Sequence, residues 1–333
     1  MWPAVMLLQQ VGLRGALNQS ALEPAGPQAA KIAHLWWFAF AVATTVYVLT
    51  MAALALAARG ARRRERRGET MEEPAGERRM TRSVTYGLAA TIVILLVFLV
   101  TDLSIGRTLS PVPSKHPLTI EVTGHQWWWE VQYADTSPHG RFATANEIHV
   151  PVGQPVLFLL TAQDVIHSFW VPNLDGKKDL IPGYTQSIWF QADTAGLYRG
   201  QCAEFCGLQH AKMAMHIVAE PKAQYQQWVE QQRESAASPP DSAASRGKEV
   251  FLTGQCAMCH SIEGTSAGSH AGPDLTHLAS RRTIAAGTLP NTRGALAGWI
   301  VDPQQVKPGA LMPPSMLRPR DLDALLTYLQ SLK

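Results

Sequence analysis

The chain has 333 residues, enough for two or three domains, and its 29 lysines and arginines nearly balance its 26 aspartates and glutamates. A net charge of +3 gives no independent support for a nucleic-acid partner, and we predict none. All four cysteines lie in two short motifs, so none is left over for a structural disulfide.

Residues 1–30 carry a weak apolar patch that is broken by Gln9 and Gln10, and Arg14 follows this patch instead of preceding it. A secretory signal peptide has its positive charge before a longer apolar region, so residues 1–30 match one poorly. We predict that they form an uncleaved extension on the outer side of a membrane.

Two apolar runs follow, at residues 32–58 and 83–100. Each approaches or exceeds the roughly 20 residues that a helix needs to cross a bilayer, and a buried core helix fits such long uncharged runs poorly. Together they predict a two-helix transmembrane hairpin over residues 31–105. The loop between them, residues 59–82, holds nine arginines, so the positive-inside rule places it in the cytoplasm and both termini on the outer side.

Residues 116–222 alternate apolar and polar residues in short runs bounded by glycine, proline and aspartate. Several short strands at this spacing predict a β-sandwich or barrel. The clearest candidate strands are residues 118–123, 155–160, 185–190 and 215–218. Within this domain we interpret His149 as a surface strand residue without a metal role.

Cys202 and Cys206 lie on one loop with His210 and Met213 close behind them. Thiolate, imidazole and thioether form a soft ligand set that suits copper, and two thiolates four residues apart can bridge a pair of copper ions. His167 offers a further ligand from a neighbouring strand. A zinc site is the alternative for two such cysteines, but the additional histidines and the methionine count against it.

A short helix is predicted over residues 223–232. Residues 233–245 are small, polar and contain two prolines, which predicts a flexible linker with a mean span of roughly 20 Å. From residue 246 to residue 333 the pattern is helical, with apolar residues at helical spacing over residues 321–332.

Cys256-Ala-Met-Cys259-His260 is the C-x-x-C-H pattern of covalent c-type haem attachment. In such a motif the two cysteines form thioethers to the haem vinyl groups, and the histidine is the proximal ligand of the iron. The chain therefore combines a copper motif and a haem motif, which predicts an electron carrier with two redox centres.

The copper loop, the Trp127-Trp-Trp129 run and the segment Asp179-Leu-Ile-Pro-Gly183 resemble the dinuclear CuA domain of cytochrome c oxidase subunit II, over residues 30–222. The resemblance implies a cupredoxin-like sandwich and an electron-entry role for Trp127. It implies that the copper ligands are His167, Cys202, Cys206, His210, Met213 and the backbone carbonyl of Glu204. The Glu204 side chain would also reach a Mg²⁺ ion shared with subunit I. One departure is Tyr184, which replaces the arginine that follows the Ile-Pro-Gly segment in the family.

Residues 246–333 resemble an all-α class I cytochrome c domain. The resemblance implies that the Pro273 carbonyl orients His260 and that a methionine is the distal ligand. Met312, in Lys307-Pro-Gly-Ala-Leu-Met312-Pro-Pro, matches the family's K-P-G-x-x-M-P pattern. Met316 is the competing methionine and lacks that context.

The whole pattern resembles subunit II of a haem-copper oxidase with a fused cytochrome c domain. This implies an enzyme subunit of the respiratory chain, a translocase and oxidoreductase, in the bacterial inner membrane with both redox domains on the periplasmic face. Electrons would enter at haem c, pass to CuA and leave for subunit I, where oxygen is reduced to water. The implied partners are oxidase subunits I and III and a soluble or membrane-bound cytochrome donor.

Two related families are rivals. A nitrous oxide reductase-like protein shares the CuA domain but needs a large separate catalytic domain, and no part of this sequence fits one. Subunits of the menaquinol-oxidising branch lack the copper ligands, whereas here the set is complete.

Overall fold

A computed structural model describes residues 19–68, 74–109, 112, 114, 117–134 and 140–333. The chain divides into two compact units, one of which is residues 31–111. The other joins the residues before this segment to residues 112–333 and contains both predicted redox domains.

Two long helices account for most of residues 31–111, α1 (Pro27–Arg66) and α2 (Pro74–Leu109). Both are long and apolar enough to cross a bilayer, and their apolar stretches are exposed. Exposed apolar surface of this extent suits a lipid environment, and the prediction of two long apolar helices is confirmed. The rings of Phe38 and Phe98 lie 5.1 Å apart, and Lys31 Nζ donates to Thr108 Oγ1 at 3.1 Å.

The arginine-rich segment departs from the predicted loop over residues 59–82. Helix α1 continues to Arg66, and α2 begins at Pro74. Alanine and arginine both favour helix, and proline is well placed in a helical first turn, so the helices continue beyond the apolar stretches that determined the predicted spans.

The predicted β-sandwich is formed by strands between Leu118 and Glu220. Its described strands make two five-stranded sheets, in the orders β3-β2-β1-β5-β8 and β4-β10-β9-β6-β7. The strands are β1 (Leu118–His125), β2 (Trp128–Ala134), β3 (Phe142–Ala145), β4 (Glu147–Pro151), β5 (Val156–Ala162), β6 (His167–Trp170), β7 (Lys177–Leu180), β8 (Gln186–Phe190), β9 (Gly196–Cys202) and β10 (Ala214–Glu220).

Alternation along the strands builds the sandwich core. In β1 and β5 every second residue is buried, including Ile120, Val122, Phe158 and Leu160. Strand β1 runs parallel to β5 and antiparallel to β2, while β9 lies between β6 and β10 in the second sheet. This order brings the start of β6, the end of β9 and the start of β10 side by side.

His149 is buried, so its interpretation as a surface residue is wrong. Its ring bridges two carboxylates, with Nδ1 2.8 Å from Glu220 Oε1 and Nε2 3.2 Å from Glu147 Oε1. Helix α3 (Lys222–Gln232) covers it, because the Trp228 ring stacks on the imidazole at a centroid distance of 4.0 Å. A strand at the edge of a sheet can be covered by a helix, which alternation along the strand does not reveal.

The segment before α1 packs on the sandwich. Ala25 N donates to Asn173 O at 2.7 Å, Asp193 N donates to Ala25 O at 2.8 Å, and Asn173 Nδ2 donates to Glu23 O at 2.9 Å. Residues 19–30 are therefore an ordered part of the β domain, whereas the first 18 residues of the predicted extension lie outside the described residues.

The predicted linker over residues 233–245 differs from the structure at both ends. Helix α4 (Ser242–Thr253) begins within it, because the Asp241 carboxylate accepts from Ala244 N at 2.7 Å and caps the helix. At the other end, Ala236 N donates to Glu263 O at 3.0 Å. Most of the segment thus belongs to the C-terminal domain, which shortens the free tether.

The C-terminal domain is helical, as predicted. Its helices are α4, α5 (Arg293–Val301), α6 (Pro303–Val306) and α7 (Pro319–Ser331), and a small hairpin is formed by β11 (Thr283–Ile284) and β12 (Leu289–Pro290). Helices α4 and α7 cross closely at Gly247, where a Cβ atom would lie 2.0 Å from Ala324 O and 2.7 Å from Tyr328 Cβ. The crossing requires glycine at this position.

We therefore expect Gly247→Ala to destabilise the C-terminal domain by about 1–3 kcal/mol, because the added methyl must push helix α7 away. Thermal unfolding of the domain, followed by circular dichroism, should show a midpoint lowered by roughly 4–8 °C per kcal/mol. Gly298→Ala is the control, since α5 leaves open space around that exposed residue and the helix gains roughly 0.5–1 kcal/mol. Equal midpoints for the two variants would contradict the close crossing.

Candidate metal centres

The loop between β9 and β10 carries the predicted copper ligands. It is closed at its base, where Cys202 N donates to Met213 O at 2.9 Å, and it is joined to β6 by the bond from Ala203 N to Ser168 O at 2.9 Å. Gly207 has a φ of 112°, a conformation that favours glycine and that lets the loop turn back on itself.

The structure brings all six predicted copper donors together. The Sγ atoms of Cys202 and Cys206 lie 3.7 Å apart, and the carbonyl oxygen of Glu204 lies 3.2 Å from Cys202 Sγ. His167 Nδ1 is 3.8 Å from Cys202 Sγ on one side. On the other side, Cys206 Sγ is 3.6 Å from His210 Nδ1 and 3.8 Å from Met213 Sδ.

This arrangement suits two soft metal ions. The two cysteine sulfurs are adjacent, and one histidine nitrogen lies beside each of them. The Met213 thioether lies beside Cys206, and the Glu204 carbonyl lies beside Cys202. His167, Cys202 and Cys206 are buried, and their ligand atoms lie within 4.8 Å of one another. Two nitrogens and three sulfurs are a donor set that copper prefers.

The two thiols are electrostatically unequal. The hydrogen bond between the Cys202 and Cys206 sulfurs lowers the pKa of the Cys202 thiol, and His167 lowers it further. The same bond, together with burial, raises the pKa of Cys206. The pair therefore holds one proton readily, and this proton must leave before both sulfurs can bind metal as thiolates.

Asp164 orients the His167 ring. Its Oδ1 lies 2.8 Å from His167 Nε2 and also accepts from Val165 N at 2.7 Å, while Oδ2 accepts from Gln126 N at 2.6 Å. Because Nε2 is engaged with the carboxylate, Nδ1 faces the sulfurs. Gly124 contributes as well, since a Cβ there would lie 2.7 Å from the His167 ring. Such hydrogen bonds to a ligating histidine fix its tautomer and orientation.

Trp127 lies directly against the copper loop. Its Nε1 donates to Cys206 O at 2.9 Å, and Gln126 Nε2 donates to the same oxygen at 2.7 Å. Trp127 is buried, so this bond is protected from water. The predicted relay residue is thus hydrogen-bonded to the backbone of a predicted copper ligand.

The haem motif lines a cavity of about 380 Å³, which the C-terminal domain forms together with Trp127 and its neighbours in the β domain. Cys256 lies in a short 3-10 turn (Gln255–Met258), and Cys259 follows this turn directly. His260 Nδ1 lies 2.7 Å from Pro273 O, as the resemblance implied. Burial lowers the pKa of His260, which favours the neutral ring that binds metal. Its Nε2 is the ring nitrogen that is left for a metal.

The rest of the cavity fits a large, mostly apolar group that carries anionic substituents. Phe251, Leu296 and Leu325 are among its apolar lining residues. Arg281 also lines it, and the buried Nε of this guanidinium has no hydrogen-bond partner among the described residues. An apolar cavity that contains a buried guanidinium nitrogen without a hydrogen-bond partner suits a haem, whose propionates are negative.

The two candidate distal methionines differ in their exposure to solvent. Met312 is partly buried and lines the cavity with His260. Met316 is fully exposed, with 100% of its surface accessible. The position of Met312 therefore suits a distal ligand, and that of Met316 does not.

Several supporting residues were not assigned from the sequence. Asp164 stands three residues before His167, a spacing that could have indicated a carboxylate for its ring. Gln126 and Gly124 flank His125 but have no side-chain pattern that indicates their contacts. Arg281 carries no sequence signal, because only the cavity reveals that its charge is buried.

Comparisons with known proteins agree with both domains. The family described as "Cytochrome C oxidase subunit II, periplasmic domain" matches residues 136–220, and the family described as "Cytochrome c" matches residues 244–333. Cytochrome c oxidase subunit 2 of Alkalihalophilus pseudofirmus is 36% identical over 326 residues, which cover 97% of this chain and 93% of that protein.

Two further similarities cover parts of the chain. Cytochrome c oxidase subunit 2 of Bacillus sp. strain PS3 is 33% identical over 232 residues, 66% of this chain and 63% of that protein. The crystal structure of the periplasmic domain of subunit II of cytochrome oxidase from Bradyrhizobium japonicum is 36% identical. It covers 37% of this chain and 97% of that one, with a TM-score of 0.35.

Asp164→Asn should weaken copper binding about 10–100-fold, the usual loss when a hydrogen-bond partner of a ligand is removed. Asparagine has one acceptor oxygen, so it cannot hold His167 and accept from Gln126 N as well. Competition with a copper chelator, on the intact subunit, measures the affinity. Asp179→Asn, an exposed carboxylate on β7, is the matched control and should leave the affinity unchanged. Equal affinities for both variants would show that Asp164 does not position the ligand.

Proposed function

The chain belongs to the cytochrome c oxidase subunit 2 family, and on that premise we propose that it accepts electrons at haem c and passes them to a dinuclear CuA centre. From there they continue to subunit I for the reduction of oxygen to water. When bound, both groups supply one-electron redox chemistry. The proposal rests on the position of Trp127, which lines the haem cavity and also donates a hydrogen bond to the Cys206 carbonyl.

We assign the copper ligands as predicted, and the structure supports each role by position. Cys202 and Cys206 would hold the two copper ions with their sulfurs, and one histidine and one further donor lie beside each sulfur. Strands β6, β9 and β10 fix these donors from one sheet. A donor set held by a rigid sheet needs little rearrangement when the charge of the site changes by one electron.

For the haem, the proposed roles follow from the cavity. Cys256 and Cys259 would attach the haem through thioethers, and His260 would hold its iron from a ring oriented by the Pro273 carbonyl. Met312 would offer its sulfur to the same iron. Arg281 provides a buried positive charge for a haem propionate. A hydrogen bond to the propionate would remove the free-energy cost of burying Arg281 Nε without a partner.

The chain is a membrane protein with its redox domains outside, and we propose that α1 and α2 anchor it in the bacterial cell membrane. Subunits I and III would be its partners there, with a cytochrome as the external electron donor.

The partly buried Glu204, whose carbonyl faces Cys202, would offer its carboxylate to a Mg²⁺ ion shared with subunit I.

Met312→Ala should abolish the sulfur-to-iron absorption band and lower the haem reduction potential by on the order of 0.1 V or more, since a Met/His pair raises it. Spectra and redox titration of the intact subunit measure both effects. Met316→Ala is the matched control and should change neither. A normal band in the Met312 variant and its loss in the Met316 variant would reverse the assignment.

Removal of residues 240–333 tests the electron path, since it keeps α3 and the whole sandwich. The copper signal should persist, because none of its proposed ligands is lost, while oxidase turnover should depend on added soluble cytochrome c. Rapid mixing with a small reductant should show haem reduction before copper reduction in the intact chain. If copper were reduced at an unchanged rate after the truncation, the haem would be a side branch.

A further inference from the structure

The two redox domains meet at Trp127, which belongs to both sites. Its indole nitrogen donates to the backbone of Cys206, and its ring lines the haem cavity. Its main-chain oxygen accepts a hydrogen bond from Lys307 Nζ at 2.6 Å. Lys307 is five residues before Met312, so the proposed haem ligand and this lysine share one loop.

The loop that carries Lys307 lies against the copper loop. A Cβ on Gly309 would lie 3.2 Å from Leu208 Cδ1 and 3.6 Å from the Trp127 ring, so the backbone approaches both closely. Gln209 Nε2 donates to Pro308 O at 2.7 Å. The contact between the domains is thus made by the segment of the haem domain that leads to Met312.

The burial of the Lys307 ammonium does not increase the stability of the folded protein. Only 3% of the residue is exposed, and its ammonium contacts two carbonyl oxygens, those of Trp127 and, at 3.4 Å, Ala285. No carboxylate of the described residues forms an ion pair with it. Burial lowers its pKa to about 7, which reflects the cost of taking this cation out of water. A methionine would fill the same space without that cost.

A second feature shows that the haem domain is shaped for this contact. Ala285 and Ala286, in the turn between β11 and β12, have φ values of 54° and 55°, which alanine rarely adopts. In this conformation Ala286 O accepts from Ala214 N at 3.0 Å, at the start of β10. The turn adopts an unfavourable backbone conformation, and this conformation allows it to accept a hydrogen bond from Ala214 N, next to Met213.

From these contacts we propose that Lys307 is a positioning residue that holds the cytochrome c domain docked on Trp127, with the haem cavity facing the copper loop. The inference rests on the proposed electron path. Lys307 does not carry the electron. It keeps the Trp127 carbonyl, and with it the ring between the two sites, in place while the domains are docked.

The test is Lys307→Met in the full-length subunit loaded with haem and copper. After photoreduction of the haem, transfer to copper should be about tenfold slower than in the wild type, equivalent to about 1.4 kcal/mol. The slower transfer should also depend on solvent viscosity, because an undocked domain must diffuse back. Wild-type transfer should not. Hydrogen exchange at residues 126–129 and 285–287 should rise.

Both centres report whether the variant folds, since their spectra and potentials should match those of the wild type. Lys248→Met, on α4 of the same domain, is the matched control and should transfer at the wild-type rate. If Lys307→Met fails to fold, Lys212→Met serves instead, because its exposed Nζ donates to Val306 O in the same interface. It should slow transfer about two- to threefold in the same viscosity-dependent way.

The outcomes separate this inference from the function on which it rests. Looser exchange with an unchanged transfer rate would overturn the positioning role and leave the electron path intact. Unchanged exchange and an unchanged rate would show that Lys307 does not hold the domains. Absence of haem-to-copper transfer in the wild type would overturn the proposed function itself, and the role of Lys307 with it.

Discussion

The hydrogen bond from Trp127 Nε1 to Cys206 O is the contact on which the functional arrangement depends. It fixes the copper loop from outside the loop and brings a buried aromatic ring to its backbone. Because the same residue lines the haem cavity, the position of one site constrains the other. Gly207 makes this approach feasible, since a Cβ there would lie 3.1 Å from the Trp127 ring.

The sequence predicted the fold well, and the residues that it offered as donors lie close together in the structure, because both depend on local patterns. Apolar runs of bilayer length, period-two alternation and the two cysteine motifs each have a physical period or spacing that can be read directly. The choice of Met312 over Met316 is of the same kind, since the flanking prolines and glycine mark one methionine, and that one lies in the cavity.

What the sequence did not predict involves residues distant along the chain. His149 is buried because α3, more than 70 residues later, covers its strand, and Lys307 is buried because it meets Trp127, 180 residues earlier. The predicted linker was shorter in the structure for a related reason. Its composition is typical of a coil, but Asp241 caps a helix whose small residues pack against α7.

The contacts between the two redox domains are mainly hydrogen bonds to main-chain atoms. Lys307, Lys212 and Gln209 all donate to carbonyl oxygens across the interface, and Arg282 N donates to Glu147. Every ion pair of the described residues lies within one domain. Salt screens exposed charge pairs but has little effect on buried hydrogen bonds. A freely diffusing donor depends on electrostatic attraction to reach its binding site quickly. A tethered domain is already close to that site, so short-range hydrogen bonds are enough to hold it there.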